Sequence, residues 1–253
     1  MPRVYTRLGE WKLERAAMDR SGLSLGFVPT MGALHAGHRS LLERARAEND
    51  RVVLSIFVNP TQFNDPADLK RYPQTLGPDL DLADGVADYA LFPSRAEMYP
   101  DDYNYRMTEG SLSARMEGAQ RPGHFDGVLT VVLKLLNLVR PHRAYFGEKD
   151  WQQLLLVQGM VRALFLPVEI VPCPTVRDPD GLALSSRNRG LSESGRALAA
   201  AFPRILREPA PAQRAAKALG DAGFGVDYVE DHAGVRLGAV RLEEIRLIDN
   251  VRL

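Results

Sequence analysis

Two histidines stand three positions apart, His35 and His38, inside the glycine-bearing stretch GFVPTMGALHAGH (26–38). Three readings fit such a pair: a metal centre, a phosphate-binding element, or a capped turn with no chemistry. Zinc needs further nitrogen, sulfur or carboxylate ligands, and the chain holds one cysteine, Cys173. Histidines that ligate from a helix also favour a spacing of four rather than three. Phosphate suits the stretch better. Gly32 and Gly37 let backbone approach a ligand closely, and His38 is expected to open a helix whose free N–H groups and dipole favour an anion. Imidazoles there can donate hydrogen bonds to charge that grows on a phosphoryl group.

Four further clusters offer complementary groups. GEKDWQQ (147–153) supplies Lys149 as a point charge and Asp150 as an acceptor for ribose hydroxyls; alone it would read as a helix start with Asp150 as N-cap. SSRN (185–188) supplies two hydroxyls and the fork of Arg187, which matches phosphate oxygens. NPTQF (59–63) and RPGHFDG (121–127) are mostly neutral: Asn59, Gln62 and His124, with Gln153 and the single Arg121, suit a small substrate bearing hydroxyls and a carboxylate. Such a site rejects analogues strongly, because unpaired buried polar groups are costly.

The elements between these clusters explain how they could meet. LSLGFVP, RVVLSIFV, DYALFP, a short segment ending at Phe146 and VEIVPCP read as apolar strands of a parallel sheet covered on both faces. Helices are expected over 10–20, from His38 to Asn49, around 78–85, and after Asp150. GVLTVVLKLLNLV places Val128, Val131, Val132, Leu135, Leu136 and Val139 on one helical face. Alternating strands and helices predict an α/β fold with a Rossmann-like parallel sheet over residues 1–187, followed by a small α+β domain over 188–253 with strands at VDYVE and IRLIDNV. Four of the polar clusters directly follow strands, and open α/β sheets bind ligands beyond the carboxyl ends of their strands.

Composition sets outer limits. Lys+Arg and Asp+Glu are both 32, so no overall charge points to nucleic acid, and no apolar run reaches the roughly 20 residues of a membrane span. One cysteine excludes an intrachain disulfide and fits a reducing cytoplasm. Cys173, in an apolar strand, is expected to pack. The rival readings are a nucleotidyltransferase acting on a phosphate monoester, an RNA-binding module and an inactive nucleotide-binding protein. The first would want cations where Gln62 and Gln153 stand, and the second a basic stripe with aromatics.

Taken in order, GFVPTMGALHAGH, SIFVNPTQF, RPGHFDGV, GEKDWQQ, GLALSSRN and RLIDN resemble the blocks of the pantothenate synthetase (pantoate–β-alanine ligase) family, within the His-x-Gly-His nucleotidyltransferase superfamily. The resemblance implies that ATP adenylates pantoate with release of pyrophosphate, and that β-alanine then displaces AMP to give pantothenate. By the same likeness Met31, Gly32, Ala33, Leu34, His35, Ala36, Gly37, His38, Gly147, Glu148, Lys149, Asp150, Val176, Leu184, Ser185, Ser186 and Arg187 would form the ATP site. His38, assigned in the family as proton donor, would act with His35, Lys149 and Arg187. Gln62 and Gln153 would hold pantoate, with Gln62 also near β-alanine, and Asn59, Arg121 and His124 would line the same cavity. Mg²⁺ would arrive with ATP and meet Asp79, and the chain would form a cytoplasmic homodimer. The stretch between VDYVE and RLIDN reads as shortened relative to the family, which implies an incomplete lid and some hydrolysis of the adenylate.

Overall fold

The computed structural model describes residues 1–253. Its larger layer runs β1 (Arg3–Tyr5), α1 (Leu8–Asp19), β2 (Leu25–Thr30), α2 (Ala36–Glu48), β3 (Arg51–Ile56), α3 (Pro66–Arg71), α4 (Leu76–Ala83), β4 (Tyr89–Leu91), α5 (Arg95–Met98), α6 (Glu117–Gln120), α7 (His124–Val139), β5 (Arg143–Gly147), α8 (Trp151–Ala163) and β6 (Glu169–Cys173). The smaller layer holds α9 (Glu193–Ala199), α10 (Ala201–Leu206), α11 (Ala212–Asp221) and the strands β7 (Gly225–His232), β8 (Val235–Leu242) and β9 (Ile245–Arg252).

Six strands form one sheet in the order β1-β4-β3-β2-β5-β6, parallel at every pairing. From β2 the chain steps outward to β3 and β4, then returns to the other flank of β2 as β5. That reversal opens a crevice beyond the carboxyl ends of β2 and β5, where doubly wound sheets bind ligands. The strand period of two sorts the core. Phe27 and Val53 point into a cluster with Trp11, Leu129 and Leu154, on the side of α1, α7 and α8. Val28, Val52 and Leu54 point the other way, to Leu42, Ala45 and Ala83 of α2 and α4.

Several expected elements differ in detail. α2 begins at Ala36 rather than His38, so His35 is its N-cap and His38 its third residue. Asp150 occupies the N-cap position of α8 without making a side-chain capping bond, and Glu148–Asp150 forms a 3-10 turn. β1 and β8 have no counterpart among the expected strands. β1 is three residues long. β8 carries Gly238 and Arg236 within VRLGAVRL, residue types that interrupt a strand pattern. Both have a packing reason. A Cβ on Gly238 would sit 3.0 Å from Leu206, and Arg236, 2% exposed, pairs with Asp231 while donating to the carbonyls of Glu208 and Ala210. Antiparallel β7-β8-β9 packs on α10 and α11 around Phe202, Leu206, Leu219 and Val240. Cys173 is buried in apolar packing as expected.

Candidate active site

A cavity of about 300 Å³ opens at the crevice between β2 and β5. His35 and His38 enter it from the turn after β2, Asn59 and Gln62 from the turn after β3, Lys149 and Asp150 after β5, Gln153 from α8, and Ser185 to Arg187 after β6. Arg121 comes from the end of α6, His124 from the start of α7, and Arg246 from β9. Met31, Gly37, Gly147, Val176 and Leu184 line it as well. Gly32, Ala33, Leu34, Ala36 and Glu148, expected around ATP, do not. Ala33 and Leu34 are buried, and Glu148 pairs with Arg252 at 3.0 Å.

The two histidines cap their own helix. His35 Nδ1 accepts from Gly37 N at 3.1 Å, and His38 Nδ1 accepts from His35 N at 3.3 Å, a reciprocal arrangement with histidine where Glu or Gln usually stands. An Nδ1 that accepts leaves the proton of a neutral ring on Nε2. Both rings are therefore Nε2–H donors. Burial and the nearby His35 push the His38 pKa down to about 3. Burial, followed by the charge of Lys149, lowers that of His35. Gly37 is required between them: a Cβ there would lie 2.9 Å from the His35 ring.

Asp79, expected beside Mg²⁺, is instead the anchor of this turn. Its Oδ2 accepts from Ala33 N at 3.0 Å, and its Oδ1 from Leu34 N at 2.7 Å and Thr75 Oγ1 at 3.2 Å. At 2% exposure it is committed to holding Ala33 at φ 52° and Gly32 at φ 84°.

The neutral half of the cavity is organised around Gln62. Asn59, fully buried, donates from Nδ2 to Gln62 Oε1 at 3.0 Å and to Gly127 O at 3.1 Å. Its Oδ1 accepts from Tyr99 OH at 2.7 Å and from Thr61. Arg121 Nη2 and His124 Nδ1 both donate to the Gln62 carbonyl, at 3.1 and 2.8 Å. Burial, with the Arg121 charge beside it, lowers the His124 pKa to about 4, so the ring is neutral and its Nε2 is free to accept from Arg121 Nη1 at 3.3 Å. Asn59, Arg121 and His124 thus hold the Pro60–Gln62 turn. The Gln153 side chain makes no hydrogen bond within the protein. Arg187 pairs with Asp68 at 3.1 Å, and Lys149 with Asp150 at 3.4 Å.

Two charged members of the wall were not expected. Glu117, 6% exposed, accepts on Oε1 from Arg246 Nη1 at 2.6 Å and from Arg121 Nη1 at 3.3 Å. Burial favours its neutral acid, but the Arg246 bond and both arginine charges outweigh that and hold its pKa below the usual glutamate range. Arg246 also donates from Nε to Asp227 at 2.6 Å. Arg246 lies in RLIDN, already noted as a block, whereas nothing around Glu117 in MEGAQ signals a site.

The family model described as pantoate-beta-alanine ligase matches residues 3–252. A pantothenate synthetase of Bdellovibrio bacteriovorus is 55% identical over 91% of the chain and 92% of the relative, and one of Legionella pneumophila is 51% identical over 99% of each. Among solved structures, pantoate-beta-alanine ligase from Francisella tularensis complexed with beta-gamma ATP and beta-alanine superposes with a TM-score of 0.94 at 38% identity, covering 100% of this chain and 98% of that one. Pantothenate synthetase from Thermus thermophilus superposes with a TM-score of 0.87 at 43% identity, covering 99% of both. Against relatives of matching extent the C-terminal segment is not shortened. The stretch that reads as shortened contains all of β8.

Proposed function

The chain belongs to the pantoate–β-alanine ligase family, and on that premise we propose that its cavity joins pantoate to β-alanine at the expense of ATP, through a pantoyl adenylate. A pantoate carboxylate oxygen attacks the α-phosphorus of ATP and pyrophosphate leaves. The amine of β-alanine then attacks the acyl carbon, AMP leaves, and an amide is formed. No covalent enzyme intermediate is invoked, since Ser185 and Ser186 have no base bonded to them and Ser185 caps its own turn by accepting from Arg187 N. Catalysis therefore rests on positioning and charge stabilisation.

The observation that carries this reading is the histidine pair with both Nδ1 atoms tied to backbone. It supports His35 and His38 as neutral Nε2–H donors to the phosphates rather than as imidazolium acids. Lys149 and Arg187 supply the positive charge that offsets the approach of two anions, Arg187 by exchanging Asp68 for phosphate. Met31, Gly37, Gly147, Val176, Leu184 and Ser186 shape the nucleotide's side of the cavity, and Asp150 suits the ribose. Gln62 and Gln153 hold pantoate, with Asn59, Arg121 and His124 keeping Gln62 in place.

The donor set fits a nucleotide-borne Mg²⁺, which keeps several waters and takes one or two carboxylates beside the phosphates. Asp79 and Glu117 are committed elsewhere and Asp150 serves the ribose, so the ion would be held chiefly by the phosphates and water. Bound there, the ion would neutralise phosphate charge. We further assign residues 1–187 to the catalytic domain and 188–253 to a smaller domain that covers it. ATP–pyrophosphate exchange tests the reading: pantoate supports exchange and other small hydroxy acids do so poorly. Absence of exchange with pantoate overturns it.

A further inference from the structure

The terminal block RLIDN (246–250) has no role in the reaction as proposed, yet its polar side chains leave β9 for the turns that carry the site. Along a strand, residues 246, 248 and 250 share one face, and the first and last of them are separated by about 13 Å. Asn250 stands at one end of that face. Its Nδ2 donates to the carbonyls of Glu148 and Lys149, at 2.8 and 2.9 Å, so one amide group holds the three-residue turn that presents Lys149. Arg246 stands at the other end. Its Nη1 donates to Glu117, Glu117 accepts from Arg121, and Arg121 donates to the Gln62 carbonyl.

We infer that Arg246 and Asn250 are positioning residues for two different substrates. Asn250 sets Lys149 against the nucleotide phosphates, and Arg246, acting through Glu117 and Arg121, sets Gln62 against pantoate. The inference rests on the assignment of Lys149 and Gln62 in the preceding section. The Glu148–Asp150 turn is too short to fix its own shape by internal bonds, so its outward carbonyls depend on Asn250. Removing Arg246 leaves the buried Glu117 with Arg121 as its remaining close cation, and Glu117 then competes with the Gln62 carbonyl for that guanidinium. The one acid of the block, Asp249, is 3% exposed and faces the other way, clamping Arg177 at 2.7 and 2.8 Å.

The test is pyrophosphate exchange by the full chain, with KM for ATP and KM for pantoate measured separately. Asn250→Ala is expected to raise the ATP KM on the order of 10-fold, the scale of a small misplacement of a binding group, with the pantoate KM within about twofold. Arg246→Gln is expected to do the reverse. Each variant's unchanged KM is its own folding control. Should Arg246→Gln not fold, Arg246→Lys and Glu117→Gln carry the same expectation. Both KM values moving together, or neither moving, overturns the inference. Lys149→Ala and Gln62→Ala are the reference arms. If Lys149→Ala spares the ATP KM, or Gln62→Ala the pantoate KM, the site assignment itself falls and the inference with it. If both references respond while the β9 variants do not split, the inference alone falls.

Discussion

Replacing His38 by glutamine separates proton transfer from hydrogen bonding at the centre of the cavity. The structure defines what a substitute must supply: an acceptor for His35 N, now Nδ1 at 3.3 Å, and an N–H donor for the phosphates. Glutamine is a residue that capping boxes normally use at this third helical position. Its Oε1 can take over the cap while its amide keeps a donor, and it cannot titrate. The ring it replaces is pushed down to about 3, first by burial and then by His35. At pH 7 that lies about four pH units away, so charging His38 would cost about 5 kcal/mol at 1.36 kcal/mol per unit. A neutral donor carries no such penalty. His38→Gln should therefore lower pantoate-dependent pyrophosphate exchange by less than about 10-fold, while His38→Ala, which deletes both donor and cap, should lower it by about 10² to 10³. The wild-type kcat/KM profile, which reports groups of the free enzyme, should show no limb from His38 between about pH 5.5 and 8. A glutamine variant as inactive as the alanine one, together with an acidic limb that vanishes on substitution, would refute this and make His38 an obligatory acid.

The same geometry carries three further predictions. His38 and His124 are held at about 3 and about 4 against about 6.5 in an unfolded chain, so the unfolded state takes up their protons first as the pH falls. Their contribution is intact above about pH 6.5 and is lost below it, by about 2 kcal/mol each at pH 5 and less for His38, whose ring lines the cavity; urea titrations at pH 7 and 5 that give equal stability would contradict this. Asp79→Ala strands two backbone N–H groups and should destabilise the chain by about 2–4 kcal/mol. Full stability with a raised Mg²⁺ requirement would return Asp79 to the metal. Gly127→Ala places a Cβ 2.5 Å from the Thr61 carbonyl. It should cost about 1–3 kcal/mol and, by displacing the Pro60–Gln62 turn, raise the pantoate KM more than the ATP KM; a variant with both KM values unchanged would show that the turn can yield without harm.

What the sequence by itself determined was the set of elements and the chemistry on offer. Apolar runs such as RVVLSIFV and the helical stripe from Val128 to Val139 are buried as their periodicity requires, because burial is a property that each residue carries along the chain. The polar clusters after those strands also meet in one cavity, because parallel strands in one sheet send their carboxyl ends the same way. Bonding partners were not legible wherever they lie far away in sequence. Asp79 reads as a free acid in GPDLD, yet its oxygens belong to a turn 45 residues earlier. Asn59, Arg121 and His124 line the cavity as their types suggest, and only the fold shows that they also bond to Gln62.

Only the tertiary structure shows which donors remain free, and that both histidine Nδ1 atoms are taken up in capping their own helix. A hydrogen bond is made by two groups and a distance, and a pKa by everything that surrounds the group. It likewise decided that Asn250 of β9, 101 residues from Lys149 in sequence, fixes the turn that presents it. Spacing along a chain records neither, because folding brings together residues whose separation in sequence carries no trace of the contact.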